Sequence, residues 1–219
     1  MREGTEHHIA VRKTARYFVL GDSEAATESW YVLHGYRQSA SRFMRRFAEL
    51  DDGTRTIVAP EALNRFYVTP ELGRHGPKSR VGGTWMTRED RLTEIDDYVA
   101  YLDALRDHMV SDDATTTVLG FSQGVATASR WAVLGKVRPA RLILWGDYLP
   151  PDLDMAEAAA ALNGTELIIV RGSEDPSLDE ALRLKEERRL GEAGIRYRFV
   201  SYRGGHDIDR ETLLEIAAQ

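Results

Sequence analysis

The stretch Thr116-Thr117-Val118-Leu119-Gly120-Phe121-Ser122-Gln123-Gly124 joins a short apolar, β-branched segment to a G-x-S-x-G pattern. The residues that follow, Gln123 to Leu134, have the apolar spacing of an amphipathic helix. A serine at so sharp a strand-to-helix turn is held in strained backbone angles, with its Oγ exposed above the edge of the sheet. The helix also directs free N–H groups at the point where negative charge develops during acyl transfer. The pattern therefore predicts a nucleophile at Ser122, the alternative being a serine that caps the helix.

Composition limits the classes of protein that this chain can belong to. Its 219 residues, 42% hydrophobic and 29% charged, fit one globular α/β domain spanning residues 1–219. The formal net charge of -6 is spread along the chain, so nucleic-acid binding is not expected. There are no cysteines, which excludes thiolate nucleophiles and cysteine-ligated metals and suits a reducing cytoplasm. Because Met1–Val11 lacks an apolar signal core and no long apolar run occurs, we expect a cytoplasmic protein without a membrane span.

Short β-rich runs alternate with helix-period segments along the whole chain. This order predicts a mostly parallel central sheet with helices on both faces. His8–Arg12 and Arg16–Leu20 have the pattern of an opening antiparallel hairpin, and Ser39–Leu50 that of a helix. Glu61–Asp90 is too long for an ordinary loop, so we expect it to have a function or local structure of its own. It is the only spare material, and a separate lid domain is therefore not expected.

An acyl-transfer serine needs an acid further along the chain, in a loop that follows a late strand. The predicted strand Glu166–Val170 leads into Arg171-Gly172-Ser173-Glu174-Asp175-Pro176, where the glycine and proline hold Asp175 at the loop bend. Glu174 and Asp179 are alternatives for the acid. Asp175 also has the position of a residue that caps the next helix.

The same chemistry needs a histidine as general base. The last predicted strand, Arg196–Ser201, is followed by a glycine turn that contains His206. The other five histidines do not follow the final strand, so His206 is the candidate base. The chain order of serine, acid and histidine is the one expected when all three lie at the same edge of an α/β sheet.

A tetrahedral oxyanion needs two backbone donors. His34-Gly35-Tyr36 follows the predicted strand Ser29–Leu33, where such folds supply one of them, so the N–H groups of Tyr36 and Gln123 are the candidate donors. An ordinary turn at Gly35 is the alternative. The insert supplies three candidate substrate-binding side chains, which are equally well explained as packing residues: Phe66, Trp85 and Met86.

Four motifs occur in order over most of the chain: Val32-Leu33-His34-Gly35, Gly120-Phe121-Ser122-Gln123-Gly124, Gly172-Ser173-Glu174-Asp175-Pro176 and Gly205-His206. With these motifs the chain resembles the phospholipase/carboxylesterase family of small α/β-hydrolases, which includes bacterial carboxylesterases and acyl-protein thioesterases. The resemblance implies the α/β-hydrolase fold and hydrolysis of carboxylic esters or thioesters without metal or organic cofactor. Many members of that family are dimers, so a homodimer is compatible with the resemblance.

Two departures from the family pattern bear on the substrate. Tyr36-Arg37-Gln38-Ser39 brings bulk and charge to the rim of the site, and residues 74–80 are more basic than an apolar acyl groove. Both favour a short acyl ester, including one that bears a negative group. The predicted function is therefore a serine carboxylesterase acting on short-chain esters through an acyl-enzyme on Ser122. The alternatives are an acyl thioesterase or lysophospholipase, and a non-catalytic binding protein on the same fold.

Overall fold

A computed structural model describes residues 4–21, 26–68, 75–109, 114–177 and 179–219. Its centre is a seven-stranded sheet in the order β1-β3-β2-β6-β7-β8-β9, in which β1 is antiparallel and the other strands are parallel. The strands of this sheet are β1 Tyr17–Leu20, β2 Glu28–Leu33, β3 Arg55–Pro60, β6 Thr115–Phe121, β7 Arg141–Trp145, β8 Glu166–Gly172 and β9 Tyr197–Tyr202. The predicted mostly parallel sheet is confirmed.

Helices cover both faces of the sheet because successive strand side chains point to opposite sides. Tyr31 and Leu33 of β2 belong to one buried hydrophobic cluster, whereas Trp30 and Val32 belong to a second. The helices are α1 Ala40–Phe43, a 3₁₀ helix Met44–Leu50, α2 Arg91–Met109, α3 Gln123–Leu134, α4 Met155–Ala161, α5 Glu180–Glu192 and α6 Arg210–Ala217. In the described part of the chain they form no separate lid, as expected, and no helix is long and apolar enough to cross a membrane.

The opening hairpin predicted from the sequence is wrong. Residues 8–12 form no strand, and Tyr17–Leu20 pairs instead with β3, as in Tyr17↔Pro60. Ile9 and Val11 are 85% and 78% exposed, so the first half of the predicted hairpin buries no apolar face that would hold it in a sheet. β1 therefore forms its backbone hydrogen bonds with β3, and residues 8–12 lie outside the sheet.

The insert has the local structure expected of so long a segment. It contains an antiparallel ribbon of β4 Asn64–Tyr67 and β5 Val81–Thr84, with Asn64 opposite Thr84. Residues 69–74 of the insert, and Leu178 at the start of the predicted fifth helix, lie outside the described residues. The ribbon, as described below, contacts the loop that follows β2.

The parallel strands end at one common edge of the sheet. Register pairs tie these ends together in sequence: Leu33↔Gly120, Phe121↔Trp145, Trp145↔Val170 and Gly172↔Tyr202. The loops after β2, β6, β7, β8 and β9 therefore lie side by side, which is where open α/β sheets place ligand sites.

Candidate active site

Ser122 lies between the end of β6 and the first residue of α3. Its φ of 53° and ψ of -121° are in a region that a non-glycine residue adopts only under strain. Two backbone hydrogen bonds hold the turn. Ser122 N–H donates to the carbonyl of Trp145 on β7 at 2.9 Å, and Val125 N–H donates to the carbonyl of Ser122 at 2.8 Å. The strand-to-helix turn predicted from the G-x-S-x-G pattern is present.

Asp175 and His206 meet across the loops that follow β8 and β9. His206 Nδ1 lies 2.6 Å from Asp175 Oδ2, and the side chains are 33% and 1% exposed respectively. Burial works to raise the pKa of Asp175, but hydrogen bonds from Ser177 and His206 outweigh it and lower that pKa below its ordinary value. An ionised Asp175 therefore accepts from the Nδ1–H tautomer and leaves Nε2 of the imidazole without a proton.

The two alternative acids have other partners. Glu174 is exposed and lies 3.3 Å from the Arg203 guanidinium, whereas Asp179 accepts from Leu182 N–H at 2.6 Å and caps α5. Of the three carboxylates weighed from the sequence, Asp175 is the one placed against His206.

The imidazole of His206 lies beside the turn that holds Ser122. Its ring centroid is 5.0 Å from that of Phe121, the residue preceding Ser122. It also packs on Gly146, where a Cβ would come within 3.1 Å of His206 Cε1 and where φ is 80°. Trp145 accepts from Ser122 N–H and Gly146 follows it, so a single strand end positions both the serine and the imidazole.

The loop after β2 lies against Ser122 on its other side. A Cβ on Gly35 would be 3.2 Å from Ser122 Cβ, and Gly35 N–H donates to Gln38 Oε1 at 2.8 Å. Among the residues that the structure describes, no acceptor is found for the N–H of Tyr36 or of Gln123. Both predicted oxyanion donors therefore flank Ser122 with their hydrogens unused.

His34 holds this loop from its buried side. Its Nδ1–H donates to the Gly35 carbonyl at 2.8 Å and its Nε2 accepts from Ala62 N–H at 3.1 Å. Burial lowers the pKa of His34, which keeps the ring neutral and the pattern of donor and acceptor fixed. His34 is fully buried, so its role is to hold Gly35 and Tyr36 in place.

The ribbon of the insert pairs with the same loop. Arg37 N–H donates to the Gly83 carbonyl at 3.0 Å, and Gly83 N–H donates to the Gln38 carbonyl at 2.7 Å. Arg37 has a φ of 64°, and Gly82 approaches so closely that a Cβ there would lie 2.3 Å from the Arg37 carbonyl oxygen. The insert therefore sets the conformation of the loop that carries Tyr36.

Gln123 ties the insert to the helix that follows Ser122. Its Oε1 accepts from Trp85 N–H at 3.0 Å, and its Nε2 donates to the Met86 carbonyl at 2.9 Å. The same residue thus offers a backbone N–H beside Ser122 and clamps the strand end of the insert with its side chain. Sequence reasoning identified the first role and missed the second.

The three predicted pocket walls lie in different places. Trp85 is 1% exposed, packs in the core against Tyr98, and donates from Nε1 to the His34 carbonyl at 2.8 Å. The expectation that Trp85 lines a substrate pocket is therefore corrected, because its buried ring supports the loop that follows β2 from inside the protein. Phe66 is half-buried and faces Tyr36 at 5.4 Å, and Met86 lines a cavity described below.

Ser177 and Asp147 were missed by sequence reasoning. Ser177 donates through its backbone N–H and its Oγ to Asp175 Oδ1, at 2.9 and 2.6 Å. Asp147 follows Gly146 and is close enough to His206 and Asp175 to interact with their charges. Burial raises the pKa of Asp147 above its ordinary value. The Asp-x-Ser spacing after Gly172 is the only sequence signal for either residue.

Within the described residues, the group of side chains able to share a metal ion is Glu6, His8 and Asp90. All three are exposed, and none belongs to the arrangement around Ser122.

Comparisons with known proteins give the family of this chain and agree with its fold. A sequence model of the family described as serine hydrolase (FSH1) matches residues 26–210, whereas no curated protein matches the chain. The chain is similar to the crystal structure of acyl-protein thioesterase 2 from Zea mays, with 18% identity over 94% of this chain and 97% of that one and a TM-score of 0.70. A carboxylesterase from Mesorhizobium loti is 19% identical over 93% of each chain, with a TM-score of 0.68. Esterase PE8 is 20% identical over 94% of this chain and 97% of that one, with a TM-score of 0.66. At these identities the likeness shows a shared fold.

The predicted resemblance to small α/β-hydrolases is therefore confirmed in fold and in family. The family match also sets aside the non-catalytic alternative considered from the sequence. Since it extends over most of the chain, from β2 to the start of α6, this protein belongs to the serine hydrolase (FSH1) family and is a serine hydrolase.

Proposed function

We propose that this chain hydrolyses short-chain carboxylic esters through an acyl-enzyme on Ser122. The observation that carries the proposal is the 2.6 Å contact of His206 Nδ1 with the buried Asp175, beside a serine in strained backbone angles at the same sheet edge. No other described serine combines these features, because a positive φ among the serines occurs at Ser122 alone.

The chemistry follows from the protonation pattern. His206 Nε2 takes the hydroxyl proton of Ser122, and Oγ attacks the ester carbonyl to give a tetrahedral oxyanion. The N–H groups of Tyr36 and Gln123 donate to that oxyanion. The imidazolium returns its proton to the leaving alcohol, and a water activated by His206 then releases the acid and regenerates Ser122. Asp175 holds the tautomer and stabilises the charged imidazolium.

Short acyl groups are favoured by the rim of the site. Tyr36 is 52% exposed and its ring lies against that of Phe66, with centroids 5.4 Å apart, so a bulky aromatic pair occupies the rim formed by the loop after β2. Thioesters are the second candidate substrate class, since the fold is similar to that of an acyl-protein thioesterase. A panel of p-nitrophenyl esters of increasing chain length, run beside matched thioesters, separates the two: we expect turnover to fall with chain length and to favour oxygen esters.

The setting that we propose is the cytoplasm, with a small ester as substrate and no nucleic-acid partner. A homodimer is the assembly that the family resemblance favours. Light scattering on the purified chain tests the assembly, and fractionation of the source cells tests the compartment.

The nucleophile and base are tested by labelling and pH dependence. Ser122→Ala should abolish labelling by a fluorophosphonate and lower ester turnover by about 10³-fold or more, because the attacking oxygen is lost. Ser173→Ala, an exposed serine at the same edge, is the matched control and should label fully. In the unmodified protein kcat/KM should rise with pH as a histidine deprotonates, and His206→Ala should remove that dependence. Labelling that survives Ser122→Ala would contradict the assignment.

A further inference from the structure

A cavity of about 340 Å³ opens next to the catalytic arrangement. Ala126 lines it from the first turn of α3, about 6 Å along the helix from Ser122. Asp147 and Tyr148 line it directly after Gly146, the residue on which the His206 ring packs, and Met86 lines it from the end of the insert. Its size suits a small acyl or alcohol group. The cavity is therefore placed to hold part of an ester whose carbonyl lies at Ser122.

Cations outnumber carboxylates around this cavity in the part of the chain that the structure describes. The cationic side chains on its wall are Arg91, Arg130, Lys185 and Arg189, whereas the carboxylates on or bonded to that wall are Asp147, Glu186 and Asp152. A fifth cation, Arg171, lies behind the wall with its guanidinium stacked on the Tyr148 ring at 3.7 Å.

The pairing of these groups leaves positive charge uncompensated. Arg91 and Arg130 both donate to the same oxygen of Asp152, Oδ1, at 2.8 and 2.7 Å. Arg171 is 4% exposed, and none of its guanidinium nitrogens has an acceptor of suitable geometry among the described residues. Asp147 and Asp175 act on Arg171 electrostatically, whereas Arg91 and Arg130 share one carboxylate, so the cavity wall keeps an excess of positive charge that a bound anion would offset.

Glu186 and Asp147 do not neutralise the excess positive charge of the cavity wall. Glu186 pairs with Arg189 at 3.2 Å and accepts from Leu149 N–H at 3.1 Å, so its charge is already engaged. Asp147 accepts from Tyr148 N–H at 2.8 Å. Burial raises the pKa of both carboxyl groups, so their negative charge is lost at a higher pH than usual as the pH falls.

Lys185 is the cation at the mouth of the cavity that is free to bind. It is exposed on α5, one turn from Leu182, and the described residues offer it no ion-pair partner. Apart from its charged side chains, the cavity is lined by apolar groups, among them Met86, Tyr148, Leu149 and the two prolines that follow. A substrate group that is apolar along its length and anionic at its end matches this combination of apolar and cationic side chains.

We propose that the cavity binds a carboxylate carried by the ester substrate, with Lys185 as the anchoring cation at its mouth and Arg91 beside it. This inference rests on the proposed ester hydrolysis at Ser122 and names its substrate class: monoesters with a free carboxylate at the far end of a short chain. The carboxylate has two possible sources, the acyl group and the alcohol, and the chemistry of recognition is the same for both.

The test compares esters of equal length that differ in terminal charge. In the acyl arm, p-nitrophenyl hydrogen adipate is compared with p-nitrophenyl hexanoate. In the alcohol arm, 3-carboxy-4-nitrophenyl hexanoate is compared with p-nitrophenyl hexanoate, each corrected for its hydroxide-catalysed rate. We expect kcat/KM to favour the anionic ester by about tenfold in one arm, and Lys185→Glu to reverse that preference. Lys185→Ala should bring the ratio close to one.

Lys136→Ala is the matched control, since Lys136 is an exposed lysine before β7, at the opposite edge of the sheet, and should keep the preference. Neutral esters turned over as fast as anionic ones in both arms would overturn the inference while leaving the proposed function intact. Binding to Ser122→Ala separates the two failures further: by calorimetry, adipate should bind more tightly than 1,6-hexanediol and lose that advantage when Lys185→Glu is added. Equal binding of both compounds would also overturn the inference.

Discussion

At the scale of single residues, the backbone of Ser122 carries a cost that its side chain does not relieve. A φ of 53° disfavours every residue with a Cβ, and holding such a residue there costs about 1–3 kcal/mol. The turn persists because backbone hydrogen bonds to Trp145 and Val125 hold it from both sides. The strain is therefore a property of the position and is independent of catalysis.

This strain predicts an unusual order of stability for two inactive variants. Ser122→Gly should unfold at a higher urea concentration than Ser122→Ala, because glycine adopts a positive φ without the Cβ penalty that alanine retains. In an ordinary helix or strand alanine is the more stable of the two. Equilibrium urea unfolding of both variants measures the difference. An alanine variant as stable as the glycine variant would show that the turn relaxes when the hydroxyl is removed.

The residues that sequence reasoning identified at this scale are those tied to the chain's linear pattern. Ser122, Asp175 and His206 each follow a strand in a loop, so strand order alone predicted that they share an edge. Trp85 was placed wrongly because its neighbours in sequence are loop-like, whereas the contacts that bury it come from His34 and Tyr98, far away in the chain. Ser177 was missed because the Asp-x-Ser spacing, its only sequence signal, is too common in loops to single out one serine.

At the scale of elements, the ribbon β4–β5 acts on the site through its packing. Gly82 on β5 lies against the Arg37 carbonyl, and Gly83 exchanges two backbone hydrogen bonds with Arg37 and Gln38. The loop that carries Tyr36 N–H is thus held against the ribbon by these two hydrogen bonds. Its conformation depends on residues more than 40 positions further along the chain.

Gly82→Ala tests this dependence. The added methyl group would meet the Arg37 carbonyl oxygen at 2.3 Å, so the loop must shift and the Tyr36 donor with it. Losing an oxyanion donor lowers kcat by about 100-fold, and we expect a fall of that order with the circular dichroism spectrum unchanged. Gly76→Ala in the same insert has no atom within 4 Å of the new methyl and should keep full activity. An equal loss in both variants would mean that the insert acts in some other way.

Elements were predicted well where their own side chains decide them. α3 and the strands β2, β6 and β8 have buried faces, and they occur close to the expected bounds. The segment 39–50 was predicted as one helix but divides at Met44 into α1 and a 3₁₀ helix, and the opening hairpin does not form. Both errors concern short segments, whose backbone follows the surface they pack on more than their own pattern.

At the scale of the whole molecule, a charged network closes the edge of the sheet opposite the site. Glu28 of β2 lies 3.0 Å from Arg55 Nε and also pairs with Arg141. The two arginines donate in turn to the carbonyl oxygens of Ala217 and Ile216, at 2.8 and 3.0 Å, and so fix the end of α6. No sequence pattern links these residues, because they come from four distant parts of the chain.

Glu28→Gln should destabilise the fold without affecting the site. Burial works to raise the pKa of Glu28, but the hydrogen bonds that it accepts from Thr117 and Arg141 lower that pKa below the ordinary 4.5. A carboxyl whose pKa is lowered by folding stabilises the protein above its unfolded pKa and loses that contribution as the pH falls. We expect a loss of about 3 kcal/mol in the free energy of unfolding at pH 7, narrowing below pH 4.5.

Urea unfolding at several pH values measures this difference, and Glu192→Gln on the exposed end of α5 is the control. Ester turnover by the folded Glu28→Gln protein should equal that of the parent, since the network and Ser122 lie at opposite edges. A pH-independent loss of stability would indicate that the carboxylate charge contributes nothing.

Gln123 joins two tasks that enzymes often assign to separate residues. In the proposed mechanism its backbone N–H donates to the oxyanion, and its amide side chain donates to the carbonyl of Met86, whose own side chain borders the cavity. A group that fills that cavity would contact Met86, which is hydrogen-bonded to the residue proposed to stabilise the oxyanion. Substrate fit is therefore communicated to turnover through one side chain, and selectivity should be expressed in the speed of the chemical step as well as in affinity.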